Sequence, residues 1–217
     1  MKKEAAVSIG MKLGTPALML LLAVWSQAQG TFQWTVTFDG GPQIAPNHIL
    51  GINYYYEQGI EFAPIGQNGQ FTRSGGQPDQ TGFPRNGTAY LLAGLGDSLS
   101  VSSAFGARFG LVSVDLAEFS TLYQSPLSVQ FVGYKLDGST VTTEFVTDGI
   151  IDGAGPLNDF QTFYFDSRFA DVTRVEVPTY RWSLDNMVFS NVVPEPSTWA
   201  LLLLGAALFG QRVFKQK

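Results

Sequence analysis

The sequence predicts an all-β protein, a two-sheet jelly-roll β-sandwich, on three observations. Short runs rich in β-branched and aromatic residues recur at the spacing of sandwich strands. The chain holds 24 Gly and 11 Pro, residues that punctuate turns. Outside its two ends it shows no long stretch with helical apolar periodicity.

Taken in order, the first strands are read at 32–38 and 49–56. Residues 66–86, rich in Gly, Gln and Pro, read as linker-like, and a strand follows at 99–105. At 111–116, Val112, Val114 and Leu116 alternate with Ser113 and Asp115, the pattern of a half-buried strand. Residues 127–134 and 141–147 flank Leu136-Asp137-Gly138-Ser139, the clearest hairpin signal in the chain. Strands at 160–165, 172–177 and 182–189 complete the set.

The two ends read as addresses. Met11-Lys12, an apolar centre over 17–25 and the small residues of Ser26-Gln27-Ala28 have the plan of a secretory signal peptide, with Met11 as an alternative start. A signal peptidase would cut between Ala28 and Gln29, leaving an ectodomain over 29–191. At the other end, Pro194-Glu195-Pro196 cannot continue a helix or a central strand and is held extended. An apolar run with Trp199, Leu201, Leu202, Leu203, Leu204 and Phe209 comes next, then a basic end with Arg212, Lys215 and Lys217. A single transmembrane helix over about 197–213 is expected, with the cations on the cytoplasmic side. It is short against the ~20 residues that span a bilayer core.

This tail, 192–217, resembles the PEP-CTERM sorting signal of Gram-negative bacteria, the substrate tag of membrane proteases called exosortases. The resemblance implies export through the inner membrane, a membrane-anchored precursor, and processing toward the cell surface or the medium.

Between Gln29 and Pro194 stand seven basic and 16 acidic residues, a net charge of −9. Such a surface argues against nucleic acid and anionic lipid as partners and is compatible with divalent cations and neutral sugars. With no cysteine, packing rather than disulfides must hold the exported domain.

Catalytic patterns are sparse. His48 is the one histidine, which excludes a histidine-based metal site, and no nucleophile-elbow or phosphate-binding glycine motif occurs. Glu57, Glu61, Glu118, Glu144 and Glu176 are carboxylates that a glycosidase could use in pairs. Asp148 and Asp152, each before a glycine, read as turn residues or as oxygen ligands of a cation. Tyr54-Tyr55-Tyr56 puts rings on both faces of any strand it occupies, so at least one face offers a surface on which a sugar ring can stack. Tyr123, Tyr180 and Trp182 could contribute similarly.

Residues 111–189, closing on Leu184-Asp185-Asn186-Met187-Val188-Phe189, resemble the lectin-like or carbohydrate-binding-module-like domains that precede PEP-CTERM tails. That resemblance implies adjacent first and last strands sharing a structural Ca²⁺, held here by Asp39 and Asp185. Two functions follow: a non-enzymatic sandwich associated with exopolysaccharide or biofilm matrix, or a secreted polysaccharide hydrolase with the same tag.

Overall fold

The computed structural model describes residues 31–41, 49–66, 71–75, 82–93, 98–154 and 158–192. Among them the strands are β1 (Gln33–Val36), β2 (Ile49–Ile52), β3 (Tyr55–Glu57), β4 (Ile60–Ile65), β5 (Phe71–Ser74), β6 (Tyr90–Ala93) and β7 (Ser98–Ser103). There follow β8 (Phe109–Glu118), β9 (Ser128–Tyr134), β10 (Thr140–Val146), β11 (Gln161–Tyr164), β12 (Arg174–Val177) and β13 (Trp182–Asn191).

These strands form two antiparallel sheets. The first runs β11-β8-β13-β6-β5-β2 and the second β10-β9-β12-β7-β4-β3. The chain passes repeatedly from one to the other, so both sheets close around one core. β13 is the central strand of the first sheet. One of its edges pairs with β8. The other is shared: β6 takes Trp182 to Leu184 and β1 takes Met187 to Ser190. Between the two halves the register shifts, and Asn186 sits at φ 44°, a β-bulge that turns both Asp185 and Asn186 off the core side.

The core lies between the inner faces. In β9, Val129 and Phe131 alternate with outward Ser128, Gln130 and Val132. Phe131 packs against Phe145 and Phe165 at 5.7 and 5.0 Å between ring centroids, and Phe165 against Phe169 at 5.0 Å. Gly133 occupies the same inward register. A Cβ there would stand 3.0 Å from Phe169, Val141 and Val172, so glycine is what lets these three close together.

The outer faces differ. β8 and β6 are buried on both sides, because Tyr90, Leu92, Ala117 and Phe160 form a second apolar cluster with Phe83 and Phe119 over the first sheet. Among the described residues the outer face of the second sheet carries no such cover: β9 and β10 keep strict alternation of inward and outward positions.

The all-β sandwich expected from sequence is therefore present, and the Asp137-Gly138 hairpin joins β9 to β10 with Gly138 at φ 83° and Ser139 donating to Asp137 at 2.9 Å. Three readings change. The strand expected at 49–56 is two strands in different sheets, β2 and β3. The linker-like stretch 66–86 contains β5, whose pairing with β2 and β6 overrides its Gly-rich neighbours. β4 and β6 escaped notice, β6 because a strand buried on both faces has no alternation to read. The signal peptide with Ala28 and Gln29, the sorting tail and His48 lie outside the described residues. Among the described residues no helix is long and apolar enough to cross a membrane.

Phe131 is fully buried at the centre of its ring cluster, so Phe131→Ala should cost about 3–5 kcal/mol of stability. Urea denaturation followed by circular dichroism checks this as a lowered midpoint at unchanged slope.

Candidate functional site

The open face of the second sheet gathers polar and aromatic side chains in register. One row crosses the sheet from Thr140 through Tyr134, Arg174, Ser102 and Glu61 to Tyr56. The next runs Thr142, Val132, Glu176, Ser100 and Ala63. Because outward residues recur every second position, each strand supplies adjacent rows.

At one side, Tyr134 donates to Glu176 at 2.7 Å, and Arg174 pairs with Glu176 at 3.0 Å while lying 4.2 Å over the Tyr134 ring. The bond to Glu176 and partial burial raise the Tyr134 pKa, so the phenol stays a donor. At the other side, Tyr54 and Tyr56 are 48% and 47% exposed, and Tyr54 donates to Glu61 at 2.9 Å. Burial and then Glu61 raise the Tyr54 pKa. Between these walls the floor is small: Ser100, Ser102 and Ala63. With strands about 4.8 Å apart, the floor from β12 to β4 is about 10 Å wide.

Tyr55 does not belong to this face. It is 5% exposed, its ring lies 5.4 Å from Phe38 and 6.1 Å from Phe62, and its hydroxyl donates to Gly40 O and Glu57. The two-residue period of a strand sends Tyr54 and Tyr56 outward and Tyr55 to the core. Trp182 is likewise a core residue, fully buried. Sequence reading passed over Tyr134, Arg174 and Glu176 as a set. The signal that could have found them is alternation, which puts Tyr134 with Gln130 and Val132, and Arg174 with Glu176, on one face.

Glu144 is exposed on β10, where it accepts from Ser128 Oγ, whereas Glu57, Glu118, Asp148 and Asp152 serve the fold. Glu57 accepts from Phe38 N at 2.9 Å, and Glu118 from Gly149 N at 2.6 Å. Asp148 and Asp152 accept from the backbone two residues on, at Ile150 and Ala154, which makes them turn residues.

Asp39 and Asp185 do converge, on adjacent residues of one segment. Asp39 accepts from Ala89 N at 3.0 Å. Asp185 accepts from Thr88 Oγ1 at 2.9 Å, from Asn86 Nδ2, and from Asn186 N at 2.7 Å. In this arrangement backbone and side-chain donors, rather than a metal, are the partners of these oxygens. Among the described residues no group of three or more His, Asp or Glu side chains is arranged to hold a metal.

Asp185 also stands directly across from Asp115, which accepts from Thr162 Oγ1 at 2.6 Å and Asn186 Nδ2 at 2.8 Å. A carboxylate pair of this kind could suggest acid–base chemistry. Both are buried, Asp185 completely, so no substrate reaches them in this arrangement.

The fold defines a β-sandwich whose second sheet presents a polar and aromatic outer face. Residues 192–217 match the PEP-CTERM protein-sorting motif, so the chain carries that sorting tag. The motif implies export and a C-terminal sorting signal. None of the curated proteins matches the chain. Among solved structures it is similar to the family 11 carbohydrate-binding module from Clostridium thermocellum in complex with a β-1,3-1,4-mixed-linked tetrasaccharide. Identity there is 8% over 76% of this chain and 98% of that one, with a TM-score of 0.31. The family 11 module of the C. thermocellum cellulase Lic26A-Cel5E follows at 6% over 72% and 94%, TM-score 0.26. The CBM22-1–GH10 modules of C. thermocellum xylanase 10B with xylohexaose match at 9% over 73% and 28%, TM-score 0.27.

Burial pushes the Asp185 carboxyl up from 3.8 to about 8, against the pull of Asn186, Thr88 and Asn86 and with a further push from Asp115. The folded chain thus keeps a proton that the unfolded chain releases. The stability from this group is complete below the unfolded value and is lost as pH rises to the folded one. Asp185→Asn cannot ionise. Its melting temperature minus that of the wild type should rise steadily between pH 4 and 8, read by thermal melts across that range. A constant difference would refute the assignment.

Proposed function

We propose that the protein is an exported, non-enzymatic polysaccharide-binding sandwich, associated with exopolysaccharide or biofilm matrix, whose tail is processed by an exosortase. The observation that carries the binding reading is the uncovered face of the second sheet, with Tyr54 and Tyr56 facing solvent beside Glu61. A sugar ring lays its C–H face on a tyrosine, and carboxylates such as Glu61 and Glu176 accept its hydroxyls. The serine and alanine floor leaves a polymer chain room to cross between the two walls. The excess of acidic residues favours a neutral polymer over a polyanion. The hydrolase alternative needs a close, accessible carboxylate pair: Asp115–Asp185 is covered, and the accessible Glu61 and Glu176 stand on β4 and β12 with β7 between them, each bonded to a tyrosine hydroxyl.

In this reading a signal peptidase removes 1–28, the apolar segment after Pro196 holds the precursor in the membrane, and the exosortase acts on the tail. Pro194-Glu195-Pro196 is what the protease recognises, and the apolar run inserts whether or not that motif is present.

Binding is tested with the full chain by affinity electrophoresis in gels containing neutral glucans or xylans. Tyr54→Ala and Tyr56→Ala should each weaken retention roughly 2- to 10-fold, the range for one aromatic stacking contact. Near-ultraviolet circular dichroism should stay unchanged, since both rings are outside the core. Unaltered retention of the double variant would remove this face from the reading. For the tail, alanine at Pro194, Glu195 and Pro196 together should leave an unprocessed, membrane-retained precursor on immunoblots of cell fractions. Normal processing of that variant would reduce the segment to a plain anchor.

A further inference from the structure

A second, independent feature lies where the chain crosses between the sheets, in residues 178–181 linking β12 to β13. Arg181 Cζ stands 4.3 Å from the Tyr123 ring centroid and 5.4 Å from that of Tyr180. Tyr123 belongs to a 3-10 turn, Thr121–Tyr123, pinned by Thr121 N donating to Gly82 O at 2.8 Å and by a ring contact with Phe119. Both tyrosines are partly exposed.

The arginine is held in an unusual way. Its backbone lies at φ 69°, a left-handed conformation that strains a side chain such as arginine, which lacks the short polar group that lets Asn adopt it, and its N–H donates to Ala93 O at 2.6 Å. Arg108, Arg168 and Arg174 are each ion-paired. Among the described residues Arg181 has no such partner, and its buried Nε makes no hydrogen bond. Glu118, cross-strand from neighbouring Trp182, turns one carboxylate oxygen to Gly149 N, and its Oε2 is buried without a hydrogen bond and forms no ion pair with Arg181.

A guanidinium flanked by rings keeps its donors in a fixed plane, and the planar fork of its Nη groups matches the two oxygens of a carboxylate. Strain at a position that glycine would fill without cost indicates that this side chain is kept for what it does. We propose that Arg181, held by Tyr123 and Tyr180, is a carboxylate-binding site at the rim of the sandwich, serving a free carboxylate or one carried by an acidic sugar. It is separate from the tyrosine face of the second sheet and stands or falls on its own.

The test uses the ¹⁵N-labelled full chain and follows the Arg181 Nε–H resonance during titration with sodium glucuronate, sodium acetate, glucose and sodium chloride. Glucuronate should shift the resonance along a saturable curve, with glucose and chloride silent. An equal response to acetate assigns recognition to the carboxylate alone, whereas a response to glucuronate only adds contact of the sugar ring with the tyrosines. Arg181→Lys keeps the charge without the planar fork and should bind roughly tenfold more weakly or worse. Both variants lack the Nε–H probe, so their binding and that of the wild type are compared through the backbone amides of Tyr180 and Trp182: Arg181→Gly should abolish those shifts while melting no lower than wild type, because it relieves the strained φ. No shift with either carboxylate at concentrations well above a millimolar Kd, or an equal shift with chloride, overturns the proposal.

Discussion

A gap in one hydrogen-bond ladder governs this fold. β13 is the hub of the first sheet, yet one of its edges is served by two strands that meet end to end, β6 and β1. At the meeting point no continuous ladder can satisfy the backbone, and an unpaired buried amide there would be costly. The sequence answers with short polar side chains. Asp185 draws in Asn86 and Thr88, and Asp39 takes the N–H of Ala89, so the segment before β6 and the segment after β1 are tied to the same bulge. Asn186 tolerates the positive φ and reaches across to Asp115 on β8.

Other buried carboxylates repeat this solution over the outer face of the same sheet. Asp159 accepts from Arg85 N and from Asp152 N, both at 2.8 Å, and joins two covering segments. Glu118 holds Gly149. Charge-assisted bonds to backbone N–H groups are stronger than neutral ones, and a chain without cysteines uses them to fasten loops that disulfides would otherwise secure. The acidity that looks like a surface property in the composition is thus partly internal. Covering one sheet in this way leaves the other as the larger open face, and the tyrosines, Arg174 and the outward glutamates lie there.

That division also explains what could be read from sequence. β9, β10 and β12 are half-buried, so their alternation and the Asp137-Gly138 turn announce them. β6 and most of β8 and β13 are buried on both sides, so their polar residues, among them Ser113, Asp115, Ser183 and Asp185, look like outward positions when they are covered by loops. Alternation shows that Tyr54 and Tyr56 share a face and Tyr55 the other. Which face is the core depends on the partner Phe62 across the hairpin, which a local pattern does not reveal. The meeting of Asp39 with residue 89, and of Tyr123 with Arg181, joins positions far apart in the chain and rests on topology alone.

The same topology bears on export. β13, the last strand, is also the one that β8, β6 and β1 need, and the ladder closes where Asn191 N donates to Phe32 O at 3.0 Å and Phe32 N to the Asn191 side chain at 2.6 Å. Until residues 182–191 have joined, β1 has no partner strand and the bulge that fastens residues 86–89 does not exist. Folding therefore depends on contacts of very large sequence separation, which form late and slowly. Such a domain cannot complete itself while its C-terminal strand is still withheld. The sorting motif, 192–217, begins at the residue after β13 ends, so the strand that completes the sandwich and the sorting tag become available almost together.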